Sequence, residues 1–323
     1  MYIVTGGAGF IGSVMVWKLN QEGIDDIIVV DKLRNEDKWK NLRKKSFNDY
    51  IDKEEFLDKL ENNLFDNIEG IIHIGACSST TETNADYMMK NNYEYTKRVA
   101  LWSISNNVRF LYASSAATYG NGEFGYSDDD ENTIKLKPMN IYGFSKHFFD
   151  LWVLKNKLQN KIAGFKYFNV YGPNEYHKKD MMSVICKAYS QIKTTGRLKL
   201  FKSYKPGIAD GEQKRDFVYV KDIVDIMYFF LVNKDKNGIF NAGTGKARSF
   251  NALAEASFYA MNKKTNIKYI PMPEEIRDRY QYFTEAKLDK LRAAGYNKEF
   301  TSLENGVKDY VRNYLMNEED PYL

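Results

Sequence analysis

The 323-residue sequence predicts an α/β fold, a doubly wound parallel sheet with a smaller, discontinuous second domain. Three observations carry this. Short apolar runs closed by glycine or polar residues alternate with segments of helical length, the order that produces parallel strands with helices on both faces. A glycine-rich turn separates the first such run from the first helix. After Asn169-Val170-Tyr171-Gly172-Pro173 the chain becomes richer in lysine and polar loops, which marks the second domain.

The elements follow in order. Met1 to Thr5 runs as a strand into Thr5-Gly6-Gly7-Ala8-Gly9-Phe10-Ile11-Gly12, which opens a helix from Gly12 to Glu22. Gly6, Gly9 and Gly12 permit a tight turn and let the backbone approach a pyrophosphate, while the helix N-terminus offers free N–H groups and partial positive charge. Ile27-Ile28-Val29-Val30 is the second strand, and Asp31 ends it nineteen residues after Gly12, where a carboxylate can hold an adenosine ribose. A bare glycine pattern signals only a turn. Within strand, loop, helix, strand and Asp it defines a dinucleotide-binding (Rossmann) unit. Asp31 favours the unphosphorylated ribose of NAD. Lys32, Arg34, Lys38 and Lys53 form a cationic cluster that can neutralise the 2′-phosphate of NADP, although Arg34 alone reads as a solvated loop residue.

Gly70 to Ile74 is the next strand, Asn91 to Asn106 has helical length, and Arg109 to Ala113 is a further strand. Ser114 and Ser115 follow at its C-terminal end, where doubly wound sheets place ligands. Ser115 can bond a reacting oxygen, or serve simply as a turn residue. Tyr142-Gly143-Phe144-Ser145-Lys146 places Tyr142 and Lys146 on one face of a helix. A nearby ammonium favours the phenolate and lowers the tyrosine pKa. Tyr142 can then exchange a proton with a sugar hydroxyl while a nicotinamide exchanges hydride, and Lys146 can hold the nicotinamide ribose. In a chain with 24 tyrosines this spacing arises readily by chance, so its weight comes from Ser115. Ile162 to Phe168 is a further candidate strand.

Further on, Asp216 to Val220 and Gly238 to Gly243 read as core elements, and Ser203 to Gln213, with Pro206, Gly207 and Gly211, reads as an exposed loop. The expected division is 1–170 plus 217–246 for the dinucleotide domain and 171–216 plus 247–323 for the substrate domain. His73 is expected as a packed core histidine, His177 carries no signal, and Cys77 lines the cofactor pocket without reacting. Trp17, Trp39, Trp102 and Trp152 are expected to pack. The net charge of +4, from 47 basic and 43 acidic side chains, does not argue for nucleic acid. Two distant cysteines, Cys77 and Cys186, match no metal or redox spacing and fit a reducing compartment. With no secretory signal and no apolar run of membrane-spanning length, the cytoplasm is the expected location.

Thr5 to Gly12, Ser115, Tyr142 with Lys146, and Asn169-Val170-Tyr171-Gly172-Pro173 together resemble the extended short-chain dehydrogenase/reductase superfamily over essentially the whole chain. Its members are mostly nucleotide-sugar epimerases, dehydratases and reductases. Dehydratases of this superfamily need an Asp-Glu pair where this chain has Ala116 and Ala117, so elimination of water is not expected. Gly75 to Thr83, Tyr87 to Asn92, Tyr171 to Lys178, Lys214 to Val220 and Arg279-Tyr280-Gln281 resemble the branch that epimerises ADP-linked heptoses at C6″ for the lipopolysaccharide inner core. That resemblance implies NADP, rather than NAD, as a hydride carrier regenerated within each turnover, with a transient carbonyl at C6″.

It further implies Tyr142 and Lys178 as the two acid–base residues, Ser115 polarising the carbonyl and Lys146 orienting the cofactor. The residues implied for the cofactor are Gly6, Gly9, Phe10, Ile11, Gly12, Asp31, Lys32, Lys38, Lys53, Ile74, Gly75, Ala76, Cys77, Ser78, Asn91, Lys146 and Val170. Those implied for the ADP-heptose are Ser115, Asn169, Lys178, Asp180, Lys187, Phe201, Lys202, Ser203, Tyr204, Arg215 and Tyr280, with Arg215 facing the pyrophosphate. By its position alone, Lys178 reads as a solvated lysine beside Lys179. Lys187 replaces a histidine usual in the branch, Asp180 and Lys202-Ser203-Tyr204 depart from its pattern, and the loop to Gln213 is longer than usual. A homo-oligomer, commonly a pentamer, is implied as partner, with no metal, membrane or nucleic acid. The other readings are a 4-epimerase or reductase of a UDP- or GDP-sugar, and a non-catalytic cofactor-sensing protein, against which the intact Ser115, Tyr142 and Lys146 argue.

Overall fold

The computed structural model describes residues 1–277 and 280–323; Arg279, one of the residues carrying the resemblance, lies outside the described residues. Seven strands form the main sheet: β1 (Tyr2–Thr5), β2 (Ile27–Asp31), β3 (Asp49–Asp52), β4 (Gly70–His73), β5 (Arg109–Ser115), β6 (Ala163–Tyr167) and, after three strands placed elsewhere, β10 (Gly238–Ala242). Their order is β3-β2-β1-β4-β5-β6-β10, and every neighbouring pair is parallel. The chain order reverses between β1 and β4, which opens a crevice at the carboxyl ends of these strands.

The strands are mostly apolar because both faces are covered. Alternation sorts the side chains: Ile3, Ile28, Val30, Ile71 and Phe110 pack in one core, and Val4, Val29, Ile72 and Leu111 in the other. Helices Lys53–Glu61, Tyr95–Ser105 and Ile141–Lys155 supply Phe56, Val99 and Phe149 to the first core. Helices Phe10–Gln21 and Val220–Val232 supply Val14, Leu19, Ile223 and Phe230 to the second.

Two small sheets build the rest. β7 (Asn169–Tyr171), β9 (Lys214–Tyr219) and β11 (Ala247–Ser249) form one, with β9 central; β8 (Leu198–Phe201) and β12 (Ile267–Ile270) pair in parallel as the other. Helices Val184–Thr195 and Phe250–Ala260 close a third core of Ala188, Ile192, Leu198, Leu200, Ala254 and Phe258. Phe201 and Lys214 bracket a stretch with neither helix nor strand, where the loop was expected.

One expectation needs correction, and two hold with a change of detail. The segment from Asn91 is helical as expected, but it opens as a π turn, Met89–Glu94, that runs into the α-helix at Tyr95. Such a turn inserts one residue per turn and turns Asn92 inward, where its side chain has a backbone partner (below). Trp39 does not pack in a core; it is 48 % exposed on a 3-10 turn, unlike Trp17 and Trp102, which pack against the cores. Asp216–Val220 is buried in the second core as expected, although its strand, β9, pairs with β7 and β11 and not with the main sheet. Among the described residues no helix is long and apolar enough to cross a membrane.

Candidate active site

The carboxyl ends of β1, β2, β4 and β5 form one wall of a 1410 Å³ cleft. The glycine loop is its floor. Gly6 sits at φ +68°, and a Cβ there would lie 2.7 Å from the Gly75 backbone; a Cβ on Gly12 would lie 2.0 Å from the Gly6 oxygen. Only glycine permits this approach of loop, helix and β4. The N-cap of helix Phe10–Gln21, Gly9, makes no side-chain cap and the first turn holds no acid, so its N–H groups are free for an anion. This cradle fits a dinucleotide pyrophosphate.

Asp31 lies at the end of β2. Its Oδ2 accepts from Ala8 N at 3.0 Å, and its Oδ1 accepts from Lys32 N and from Lys38 Nζ, both at 2.7 Å. Lys32 pairs with Glu54 at 2.9 Å, and Lys53 donates to Asn91 Oδ1. Burial pushes the Lys53 ammonium down, with Lys32 and Arg34 adding repulsion and Glu54 opposing. All four cations, Arg34 included, line this end of the cleft.

Ser115 ends β5 opposite Tyr167. Its Oγ accepts from Ala117 N at 3.1 Å, which leaves the hydroxyl hydrogen to donate. Ala116 and Ala117 form the turn beyond it and line the cleft, so no carboxylate stands there. Asn140 caps helix Ile141–Lys155 through Gly143 N, which starts the helix one residue before Tyr142. Tyr142 and Lys146 then share its inner face. Burial pushes the Tyr142 phenol up, and only the Ser115 hydroxyl beside it opposes this. Lys146 instead donates to the Ala113 carbonyl at 2.8 Å, and burial brings its ammonium down to about 8 despite Asp150. Lys146 thereby ties helix Ile141–Lys155 to β5.

Lys178 is no solvated lysine. It stands on a 3-10 turn, Tyr176–Met181, with its ammonium 5.4 Å from the centre of the Phe10 ring and its pKa pushed down by burial, which Glu175 opposes. Asn169, Val170, Ile74 to Ser78, Asn91, Arg215 and Tyr280 line the same cleft. Arg215 is stacked on Tyr280 and Phe250, at 5.2 and 5.8 Å. Asp180, Lys187 and Phe201 to Tyr204 are not in the cleft lining. Lys187 reaches back to the Asp180 carbonyl at 2.6 Å, and the backbone N–H groups of Ser203 and Tyr204 donate to Asp210 Oδ1 at 2.7 Å and to the Tyr282 hydroxyl at 3.1 Å.

Several contributors are invisible in the sequence. Asn92, 1 % exposed, exchanges hydrogen bonds with Cys77 N and O, both 2.9 Å, and donates to Ser145 Oγ at 3.1 Å, tying the Cys77 loop to the Tyr142 helix. Gln281 donates to the Gly120 carbonyl and joins the smaller sheets' side to the Ser115 turn. His177 lines the cleft, its pKa lowered to about 4 by burial and by Lys38 and Lys178. No fixed spacing marks these residues, because each acts through a partner distant in the chain. His73 is a core residue: it sits between Thr5 Oγ1 (2.7 Å) and Thr96 Oγ1 (2.9 Å), and burial holds it down to about 3.

Parallel topology, a glycine cradle at the switch point and a Ser–Tyr–Lys wall define a dinucleotide enzyme acting on an extended ligand. The family model described as the NAD dependent epimerase/dehydratase family matches residues 2–243, and the chain belongs to that family. A protein named ADP-L-glycero-D-manno-heptose-6-epimerase from Fusobacterium nucleatum is 58% identical, with 100% of both chains covered. One of the same name from Nitratidesulfovibrio vulgaris is 54% identical, again over 100% of both. Among solved structures, the ADP-L-glycero-D-manno-heptose-6-epimerase of Helicobacter pylori superposes with a TM-score of 0.80 at 28% identity, covering 97% of this chain and 95% of that one.

Proposed function

We propose that this protein is an isomerase that inverts C6″ of ADP-D-glycero-D-manno-heptose to the L-glycero form, in supply of the lipopolysaccharide inner core. The observation that carries this is one cleft holding the glycine cradle, Ser115, Tyr142 and Lys178 in a chain 58% identical, end to end, to a relative named for that epimerisation. Bound nicotinamide dinucleotide supplies a hydride acceptor and donor for the sugar carbon.

The chain's residues supply the rest. Inversion presents the sugar hydroxyl in two configurations, so proton exchange is needed from two positions. Tyr142 serves one and Lys178 the other. Ser115, whose hydroxyl hydrogen is free, donates to the sugar oxygen and stabilises charge developing there. Arg215 takes the ADP pyrophosphate, its guanidinium held flat by Tyr280 and Phe250. Lys146 orients the nicotinamide ribose. With alanines at 116 and 117, no acid is placed to expel water, which favours epimerisation over dehydration.

The reading includes NADP as cofactor, supported by Lys38 neutralising Asp31 and by Lys32, Arg34 and Lys53 at the same end of the cleft. It includes residues 171–216 and 247–323 as the sugar-nucleotide region, supported by the third core they share. It includes a homo-oligomer, commonly a pentamer, which light scattering reads directly; a monomer at micromolar concentration would remove that part. The deciding experiment is NMR of the C6″ configuration after incubation with the D-glycero substrate. Accumulation of the L-glycero product without added cofactor is expected. Turnover of UDP-glucose and none of the heptose would overturn the assignment in favour of a 4-epimerase.

A further inference from the structure

Lys178 is carried by a loop whose backbone is strained. Lys179, within the turn, holds φ 49° and ψ −119°. A side-chain-bearing residue held there costs about 1–3 kcal/mol, so the surroundings must fix the turn. Glu175, just ahead of it, does so. Its side chain lies in a residue only 1 % exposed, and its carboxylate accepts from Ser183 N at 2.5 Å, Ser183 Oγ at 2.7 Å and Gly172 N at 3.4 Å. Ser183 also caps helix Val184–Thr195 through Cys186 N at 3.2 Å. One carboxylate thus spans the loop from Gly172, before it, to Ser183, after it. The other side of the loop is fixed to the glycine cradle. Asn41 Nδ2 donates to Ala8 O at 2.9 Å and to Asn174 O at 3.1 Å, and Asn174 Nδ2 donates to Ser13 Oγ at 2.9 Å.

Hydrogen bonding does not by itself call for a charge here, since a neutral amide could accept from Ser183. A buried carboxylate carries a desolvation penalty of several kcal/mol unless a cation answers it. Lys178 N donates to the Glu175 carbonyl at 3.0 Å, which keeps the two residues on one turn. Burial pushes the Glu175 carboxyl up, the Ser183 bonds and the Lys178 ammonium oppose this, and Glu175 in return opposes the fall of the Lys178 ammonium. The other titratable groups around Glu175 are Tyr176, Cys186 and Tyr310, whose burial raises all three pKa values and keeps them neutral. We propose that Glu175 is a positioning residue for Lys178, closing the loop that carries it and supplying the counter-charge for its ammonium. This rests on Lys178 being one of the two proton-exchanging groups.

Two measurements on the purified full-length protein with NADP bound test it. Glu175→Gln keeps the shape and removes the charge, so burial alone acts on Lys178. The limb of the kcat–pH profile that belongs to Lys178 moves to lower pH by about one unit, with KM for the sugar nucleotide unchanged. Glu175→Asp keeps the charge but falls short of Ser183, so kcat drops while the limb stays in place. A Glu175→Gln limb at the wild-type position, or an equal shift in Glu175→Asp, overturns the proposal. The second measurement is urea stability of Lys178→Met, Glu175→Gln and the double variant. The double variant is expected to be more stable than the two single losses predict, because removing the ammonium strands the carboxylate. Additive losses overturn the proposal even where a variant is too unstable to assay. Near-normal turnover in Lys178→Met would instead sink the catalytic reading of Lys178; an inactive Lys178→Met with an unmoved Glu175→Gln limb fails the Glu175 assignment alone.

Discussion

Asp31 and Lys38 show how one residue changes the meaning of its neighbour. In sequence, a carboxylate at the end of the second strand of a dinucleotide unit points to NAD. In the fold, Lys38 from the following 3-10 turn lies 2.7 Å from that carboxylate, and the pair is mostly buried. Asp31 thereby loses its capacity to repel a 2′-phosphate. Removing Lys38 should expose that capacity. Lys38→Ala is expected to weaken NADP binding about tenfold, the loss of one charge-assisted contact, and to leave NAD binding nearly unchanged. Calorimetric titration with both dinucleotides reads this, and an equal loss for the two would remove Lys38 from the phosphate site.

At the scale of elements, helix Ile141–Lys155 is held to the sheet by an ion pair with no exposed surface. Lys166 on β6 and Asp150 on the helix meet at 2.7 Å, both 0% exposed. Asp150 also accepts from Tyr112 OH at 2.9 Å and Ser114 Oγ at 2.7 Å on β5, and Lys166 donates to Thr118 Oγ1 at 3.0 Å beyond Ser115. One turn of helix separates Asp150 from Lys146, so the pair fixes the element that presents Tyr142. Asp150→Ala strands a buried ammonium and should cost about 3–5 kcal/mol in urea unfolding. Adding Lys166→Met should recover part of the loss, because the hydroxyls of Tyr112 and Ser114 still lack their acceptor. Strictly additive losses would show that the pair does not couple. Lys166 was unreadable in sequence, since a lysine in an apolar strand has no local signature and its partner lies sixteen residues away. The strands themselves were legible, because apolar runs covered on both faces need no partner to be recognised. The π turn at Met89–Glu94 was not, because its extra residue leaves the composition helical.

For the molecule as a whole, legibility followed the range of the interaction. The cradle at 6–12 and Asp31 are local to one βαβ unit, and Tyr142 with Lys146 to one helical turn, so spacing exposes them. Asn92 and Gln281 act on partners 15 and 161 residues away, and only the fold brings each pair together. The same long range makes the two regions one cooperative unit. The second core contains Val4 and Val29 of the main sheet together with Leu303, Val307 and Tyr310 from the chain's last helices. Arg215 and Tyr280 reach the cleft from the smaller sheets' side, facing the glycine cradle across it. Heating should therefore give a single transition, and a ligand held by one region should stabilise both. A nicotinamide dinucleotide at one hundred times its Kd adds about 2.7 kcal/mol to the folded state. With an unfolding entropy of about 2.1 cal/mol/K per residue, a chain of 323 residues gains about 4 °C in Tm. Differential scanning calorimetry with and without NADP reads both features. Two separated transitions, only one of them moved by the dinucleotide, would show instead that residues 171–216 and 247–323 unfold on their own.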